Sequence, residues 1–146
     1  MGTTVVAVTV ITGFGVIADV GDSRACTLSN GINLVTKDHS LVQYLCDTGK
    51  ITEEEAKVHP DRNIITRAVG ILSFVDVDFD LVELNSDESI LICTDGLSGS
   101  LESDEMLNVI KENADSSAEK LVERAIQAGS RDNITAVLLF ADSQGE

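Results

Sequence analysis

The chain has 146 residues, of which 43% are hydrophobic and 3% are aromatic, and this predicts a single domain with an aliphatic core. Its formal net charge of −15, from 25 acidic against 10 basic residues, argues against nucleic-acid binding and against docking on anionic membranes, because both depend on basic side chains. The same excess of carboxylates is compatible with divalent cations, which would reduce the repulsion between acidic groups.

The first quarter of the chain predicts an antiparallel meander of four short strands. The strand segments, rich in β-branched and apolar residues, are residues 4–10, 15–20, 25–28 and 32–35. Turn residues separate them, and Asn30-Gly31 before the fourth strand is a strong hairpin signal.

Residues 41–62 predict a small surface subdomain. Apolar residues at helical spacing over 41–46 indicate one helix, which Gly49 ends. Thr52 is a good N-cap for a second helix, which must be short because Pro60 follows. Neither helix carries much apolar surface, so little of this segment is expected in the core.

Two further strands with different patterns follow. In residues 75–82 apolar residues alternate with aspartates, which predicts a half-buried strand with an acidic outer face. Residues 90–93 are uniformly apolar, which predicts a strand buried on both faces. Because a turn at 85–88 joins them, we expect the two strands to pair antiparallel.

The last third of the chain predicts two helices and a final strand. Apolar stripes over 106–110 and 118–126 indicate the helices, with Ser116 and Glu119 as a capping box for the second. The final strand is residues 133–140. Together the elements predict an α+β domain, a mostly antiparallel sheet with two helices packed on one face.

Two acidic residues at strand ends form the main candidate site. Asp95 follows the strand 90–93 and precedes Gly96, which permits a sharp turn, while Asp132 precedes the final strand. If the strand ends are adjacent, the two carboxylates would supply oxygen ligands to Mg²⁺ or Mn²⁺. The alternative is that each acid only caps a turn or a helix, and spacing alone leaves both interpretations open.

Other polar residues also have two interpretations. Arg24, Arg62 and Arg67 suit bidentate phosphate binding, but the many acids of the chain are equally good partners for them. His39 could stabilise a turn or orient a ligand, and the role in a turn is the expected one. Cys93 lies inside a buried strand and is expected to be a core residue rather than a nucleophile.

The cysteines and the first residues of the chain indicate its cellular compartment. Cys26, Cys46 and Cys93 lack CxxC spacing, so we expect reduced thiols rather than a zinc site or a disulfide framework. No stretch is long and apolar enough to span a bilayer, and no basic region precedes the first apolar run. The sequence therefore predicts a cytoplasmic protein.

Five sequence segments, taken together in their order and spacing, indicate a protein family and not only secondary structure. They are VGDSRA at 20–25, TKDHS at 36–40, NIITRAVG at 63–70, CTDGL at 93–97 and SRDNIT at 130–135. In these segments the chain resembles the PPM, or PP2C-type, family of metal-dependent protein serine/threonine phosphatases in its bacterial branch. The resemblance covers nearly the whole chain. Its start, Met1-Gly2-Thr3-Thr4, resembles a segment that lies well inside the family's catalytic domain.

The resemblance implies an incomplete fold. The family stacks two antiparallel sheets between helices, and residues 1–142 resemble the C-terminal portion of that β-sandwich, without the first strands and the first helices. The family's Asn-Glu-Asp segment, its arginine for the substrate phosphate and its metal-bridging Asp-Gly pair have no counterpart in this sequence. Residues 41–62 resemble the flap subdomain beside the active site, and residues 143–146 are expected to be a flexible tail.

The resemblance also implies roles for individual residues. Asp95 and Asp132 resemble ligands of the family's second metal, Mn²⁺ or Mg²⁺. Asp38 resembles an acid that helps to hold a third metal. Gly96 and Asn133 resemble residues that support the two ligands.

The implied activity is hydrolysis of phosphoserine and phosphothreonine in proteins by metal-activated water. Gly99 stands where the family has a further acid after Asp95, which counts against a third metal site. A bridging hydroxide needs both metals, and Asp95 and Asp132 supply only part of one site. We therefore expect weak metal binding and little or no activity from this chain alone. The alternatives are a non-catalytic phosphatase-like domain that binds a partner or a second copy through an exposed sheet edge, and a structural module whose acids only cap turns.

Overall fold

A computed structural model describes residues 1–140, which form two antiparallel sheets with helices on one outer side. The strands are β1 (Val5–Ile11), β2 (Phe14–Val20), β3 (Arg24–Leu28), β4 (Ile32–Leu34), β5 (Asp78–Glu83), β6 (Ser89–Cys93) and β7 (Ala136–Leu139). The helices are α1 (Leu41–Asp47), α2 (Glu53–Lys57), α3 (Asp95–Ser98), α4 (Ser103–Asn113) and α5 (Ser117–Gln127), with a 3-10 turn at Ala114–Ser116. The predicted antiparallel sandwich with flanking helices is confirmed. The predicted tail, 143–146, lies outside the described residues.

The chain changes sheets at Gly21, so the prediction of one continuous four-strand meander is wrong. Within residues 1–140, β1 and β2 belong to a sheet of order β1-β2-β5, whereas β3 and β4 belong to a sheet of order β4-β3-β6-β7. Gly21 has a φ of +117°, and a Cβ at this position would overlap the Thr4 side chain. Only glycine adopts this conformation readily, and it redirects the chain sharply between two hairpins.

Strand β5 pairs with β2 and not with β6, contrary to the prediction from the turn between them. Its faces are also the reverse of those predicted: Phe79 and Leu81 are 71% and 68% exposed, while Asp78 is half-buried. Hydrogen bonds to Asp78 from Nε2 of His39 (2.9 Å) and Nη1 of Arg67 (2.6 Å) fix this orientation. Alternation by itself does not say which face of a strand is buried.

Strand β6 lies at the centre of the fold, as its uniform apolar run predicts. Ile90, Leu91 and Cys93 are almost fully buried. Leu91 and Cys93 pack with residues of α4 and α5 such as Leu121, while Ile90 faces the first sheet, where a Cβ on Gly15 would meet it at 3.3 Å. Burial raises the pKa of the Cys93 thiol to about 12, so this cysteine is a core residue and not a nucleophile.

The predicted N-cap is confirmed at α2, but the capping box predicted for α5 is not formed. Thr52 and Glu55 form a complete capping box, in which the Thr52 N–H donates to Oε2 of Glu55 at 2.7 Å. The capping box predicted for Ser116 and Glu119 is wrong, because the Ser116 hydroxyl donates to the Asn113 carbonyl at 3.1 Å. Ser116 closes the 3-10 turn and lacks the extended backbone that an N-cap needs.

The segment that carries α1 and α2 lies at the surface. Neither helix contains a buried residue, which supports the proposal that residues 41–62 are a subdomain of their own. In the part of the chain that the structure describes, no helix combines the length and apolarity needed to cross a membrane.

Candidate metal centre

Thr94 joins the loop that follows β6 to the loop that precedes β7. Its hydroxyl accepts a hydrogen bond from the Thr135 N–H (2.9 Å) and donates to the Asn133 carbonyl (3.3 Å). The Thr94 N–H also donates to the Thr135 carbonyl at 3.1 Å. Because β6 and β7 are neighbours in the second sheet, these bonds hold the loops of Asp95 and Asp132 side by side.

Gly96 permits the close approach of the two loops. A Cβ at this position would overlap the carbonyl oxygen of Asn133 and lie 3.2 Å from the Ile134 side chain. The Ser130 hydroxyl adds a hydrogen bond to the Gly96 carbonyl at 2.8 Å. Gly96 and Asn133, which the sequence assigned to supporting positions, are therefore in direct contact.

The two acids sit in different local environments. Burial, followed by the charge of Asp132, raises the pKa of Asp95 above its ordinary value of 3.8. Asp95 is the first residue of α3, and Thr94 takes the N-cap position. Asp132 stabilises its own turn with a local hydrogen bond, in which its Oδ1 accepts the Asn133 N–H at 2.7 Å. Capping therefore accounts for one oxygen of Asp132, and the Asp95 carboxylate likewise accepts backbone hydrogen bonds at the start of α3. The repulsion that remains between the two carboxylates favours a cation beside them.

Asp38, the acid assigned to a third metal, is bound by Arg24. The Nε and Nη2 atoms of Arg24 donate to the two carboxylate oxygens of Asp38 at 2.9 and 2.7 Å. A bidentate pair of this kind engages both oxygens and neutralises the charge. This geometry favours a structural role for Asp38, although its side chain lies on the wall of the same cleft as Asp95.

Asp22 is an acid of this cleft, and it lies in the VGDSRA segment, which the sequence analysis did not assign to the metal centre. It lies in the loop between β2 and β3 and lines the cleft together with Asp95 and Asp132. Burial, followed by the charge of Asp95, raises the pKa of Asp22 above its ordinary value of 3.8. The sequence did contain a signal, because Asp22 stands at the end of a strand beside Gly21, just as Asp95 stands at the end of a strand beside a glycine.

The cleft is open and has a volume of about 1230 Å³. Arg24 and Arg67, two of the three arginines considered for phosphate binding, are paired with carboxylates. Arg62 also lines the cleft, and it makes no ion pair within residues 1–140. Lys57 of α2 lies 3.5 Å from Glu102, which links the α1–α2 segment to the start of α4.

The acids form a partial donor set. Among the described residues, no group of three or more histidine, cysteine, aspartate or glutamate side chains is arranged so that it could hold a metal ion. The chain thus brings Asp95 and Asp132 together without closing a coordination sphere around them.

Comparison with known proteins assigns the chain to a family. The sequence profile of protein phosphatase 2C matches residues 1–142. The chain belongs to the protein phosphatase 2C family. Among curated members, serine/threonine phosphatase stp of Listeria monocytogenes is 39% identical over 145 residues, which cover 97% of this chain and 58% of stp. This phosphatase 2C chain therefore spans about three-fifths of the length of the curated relatives it matches.

Solved structures of other phosphatase 2C proteins have the same fold. Serine/threonine phosphatase Stp1 from Staphylococcus aureus superposes with a TM-score of 0.92 at 36% identity, over 97% of this chain and 57% of Stp1. The catalytic domain of PstP, whose structure contains two manganese ions, superposes with a TM-score of 0.84 at 31% identity, over 95% of this chain and 58% of that domain.

A second polar cluster of this phosphatase 2C chain is buried around His39, and the sequence interpretation missed its extent. His39 accepts the Gly21 N–H at Nδ1 (2.8 Å), which leaves the ring proton on Nε2 to be donated to Asp78 (2.9 Å). The hydrogen bond from His39, followed by that from Arg67, lowers the pKa of Asp78. The cluster ties the segment of Asp38 to β5, 39 residues further along the chain.

Asp19 lies against this cluster as a buried carboxylate without hydrogen bonds. It is 1% exposed, and neither of its oxygens has a hydrogen-bond partner within the described residues. The Nδ1 atom of His39 lies 3.9 Å away and has no proton to offer, because it accepts from Gly21. Burial raises the pKa of Asp19 above its ordinary value of 3.8.

We expect Asp19→Asn to raise the free energy of unfolding at neutral pH by about 1–2 kcal/mol, because the amide removes the cost of a buried, unsatisfied charge. The pKa of Asp19 is higher in the folded chain than in the unfolded chain. The parent chain therefore loses stability as the pH rises from the unfolded pKa through the folded pKa, and the variant does not. The advantage of the variant should shrink as the pH falls toward 3.8. Urea unfolding between pH 4 and pH 7 measures the difference in the free energy of unfolding between variant and parent. The substitution Asp87→Asn, at an exposed position, is the control. An Asp19→Asn variant less stable than the parent at pH 7 would contradict the expectation.

Proposed function

We propose that this chain forms the larger part of a metal-dependent protein serine/threonine phosphatase domain that acts on phosphoserine and phosphothreonine in proteins. The observation that carries the proposal is the pair Asp95 and Asp132, which Thr94 holds side by side at neighbouring strand ends. The raised pKa of Asp95, caused by burial and by the charge of Asp132, supports a cation as the missing partner. The similarity to phosphatase 2C relatives supports the reaction class.

The donor chemistry fits half of a Mn²⁺ or Mg²⁺ site. Both ions prefer oxygen ligands and commonly bind one or two carboxylates together with waters. Asp95 and the second oxygen of Asp132 would supply these carboxylates. We propose Asp22 as a further acid of the centre in preference to Asp38, because Arg24 holds both oxygens of Asp38.

Each side chain at the cleft has a proposed task. When bound, a divalent ion lowers the pKa of a coordinated water and stabilises negative charge on a phosphoryl group. The chain itself fixes the two carboxylates relative to each other through Thr94 and Gly96. Arg62 on the cleft wall is free to bind a phosphate group bidentately, and residues 41–62 are the proposed flap over the bound side chain.

The same proposal includes a cellular location, a possible association and the activity expected of the chain alone. A cytoplasmic location is supported by the free cysteines of the described chain. Association with a second copy or a partner chain stays a prediction. We expect little hydrolysis from the chain alone, because it spans about three-fifths of its curated relatives and brings only part of a donor set together.

A chimeric enzyme tests the proposed function. The segment of Listeria stp that matches this chain would be replaced by residues 1–142, so that stp supplies the remaining two-fifths of the domain. We expect Mn²⁺-dependent release of phosphate from a phosphothreonine peptide, and a loss of at least about a hundredfold for Asp132→Asn in the chimera, because the ion loses a ligand.

Two further variants of the chimera sharpen this test. Asp22→Asn should lower activity more than Asp38→Asn if Asp22 belongs to the centre. A folded chimera without Mn²⁺-dependent hydrolysis, or one in which Asp132→Asn retains full activity, would refute the proposed function.

A further inference from the structure

The arginines of the chain divide into a paired group and an unpaired group. Those that form ion pairs with carboxylates of the chain are Arg24, Arg67 and Arg124. Within residues 1–140, the side chains of Arg62 and Arg131 form no ion pair and no hydrogen bond, although the chain carries 25 acidic residues. Both line the cleft that contains Asp95 and Asp132. In the described part of the chain, unpaired guanidinium groups therefore occur only at this cleft.

The backbone on both sides of Arg131 is held in place. The Ser130 N–H donates to the Ala125 carbonyl at 3.0 Å, and the Ser130 hydroxyl donates to the Gly96 carbonyl at 2.8 Å. On the other side, Asp132 makes its local hydrogen bond to the next N–H at 2.7 Å. The side chain of Arg131 thus starts from a fixed point beside a candidate metal ligand, which reduces the ordering cost of binding a ligand there.

The surroundings of Arg131 leave room for a ligand. Its side chain is exposed, and the cleft residues that precede it, Ala128, Gly129 and Ser130, are small. A Cβ at Gly129 would meet no atom within 4 Å. The adjacent Asp132 carboxylate does not pair with the guanidinium, because one of its oxygens accepts a backbone N–H instead. A ligand can therefore reach Arg131 without displacing an existing partner.

The chemistry of arginine selects an anionic ligand. A guanidinium presents its N–H donors in a planar fork that matches the two oxygens of a carboxylate or a phosphate. Arg62 already has a proposed task at the phosphate that reacts. Asp95, at the reaction centre, is half-buried, whereas Arg131 is exposed. Arg131 is therefore better placed for a group that flanks the reacting residue.

We propose that Arg131 is a specificity residue that binds an acidic group, a carboxylate or a second phosphate, on a residue flanking the phosphorylated residue of a substrate protein. This role rests on the proposed function, since it requires a phosphorylated protein in the cleft. The substrates favoured by Arg131 are phosphoserine and phosphothreonine residues in acidic or multiply phosphorylated segments.

The net charge of the chain does not explain such a preference. A charge of −15 repels acidic ligands at long range. At physiological ionic strength this repulsion is screened over about 8 Å, so a direct contact with a guanidinium outweighs it locally. A preference for acidic peptides is therefore a sign of a specific contact and not of the overall field.

A binding experiment tests the role of Arg131 without using turnover. Fluorescence anisotropy in Mn²⁺ would compare three labelled peptides that carry a non-hydrolysable phosphonate analogue of phosphothreonine. Their flanking residues are alanine, glutamate or a phosphonate analogue of phosphoserine, which separates the two sources of negative charge. We expect one or both acidic peptides to bind about fivefold or more tightly than the alanine peptide, as for a bidentate charge-assisted pair. Arg131→Gln should abolish this difference and leave the affinity for the alanine peptide unchanged.

Lys111→Gln is the matched control for the loss of one positive charge. Lys111 is an exposed base on α4 that does not line the cleft, so its substitution should preserve the preference within about twofold. The same titration of the chimera with stp covers the case in which the chain alone binds too weakly.

Three outcomes would overturn the role of Arg131. They are equal affinity of the parent chain for the three peptides, equal weakening of all three by Arg131→Gln, and no binding to the chain or to the chimera. Equal weakening would place Arg131 at the phosphate that reacts. The result is separable from the proposed function. A preference that Arg131→Gln removes, found together with an inactive chimera, counts against the phosphatase proposal only. An active chimera without the preference counts against the role of Arg131 only.

Discussion

Gly96→Ala is expected to destabilise the chain by about 1–3 kcal/mol and to abolish its response to Mn²⁺. The added methyl group would overlap the carbonyl oxygen of Asn133, a backbone atom that cannot rotate away. Relief requires the two loops to separate, and overpacking of this kind usually costs that amount. Separation also breaks the bonds of Thr94 to the loop of Asp132. Thermal unfolding with and without Mn²⁺ measures both effects.

Gly31→Ala is the matched control for this prediction. Gly31 lies in the β3–β4 hairpin, and a Cβ there meets no atom within 4 Å. We expect it to keep both its stability and its Mn²⁺ response. A Gly96→Ala variant as stable and as responsive as Gly31→Ala would show that the contact between Gly96 and Asn133 does not hold the site together.

Leu121→Ala is expected to lower the free energy of unfolding by about 2–5 kcal/mol, the usual range for a fully buried leucine. Leu121 is 0% exposed and packs in the cluster that joins α5 to β6 through Leu91 and Cys93. The cavity would open beneath β6, the strand that leads to Asp95, so we also expect weaker Mn²⁺ binding. Urea unfolding gives the first quantity and calorimetry the second.

Ile126 supplies the control on the same helix. It is 60% exposed, so Ile126→Ala should change stability by less than about 0.5 kcal/mol. Equal destabilisation by the two substitutions would contradict the assignment of α5 as the helix that covers the second sheet through Leu121.

The sequence predicted the elements that carry an unambiguous local signal. The uniform apolar run of β6 has no polar side to present, so its burial on both faces could be foreseen. The turn after it required Gly96, and this placed Asp95 at a strand end. The capping box of Thr52 and Glu55 also depends only on residues three apart.

The sequence could not predict features that distant partners decide. The faces of β5 depend on His39, 39 residues from Asp78 in the chain, and on Arg67, 11 residues away. Whether Asp38 faces a cation or an arginine depends on Arg24, and the 14 residues that separate them include a hairpin. Sheet membership likewise depends on the conformation of Gly21, which the pattern of alternation does not encode.

Calorimetric titration of the chain with Mn²⁺ determines whether Asp95 and Asp132 together bind one divalent ion. We expect a single site whose affinity falls about tenfold or more in Asp95→Asn and in Asp132→Asn, because each change removes one of the few carboxylate ligands. The exposed Asp87→Asn should bind Mn²⁺ as the parent chain does. Absence of any binding heat at millimolar Mn²⁺, or equal affinity in all four proteins, would show that Asp95 and Asp132 do not share an ion.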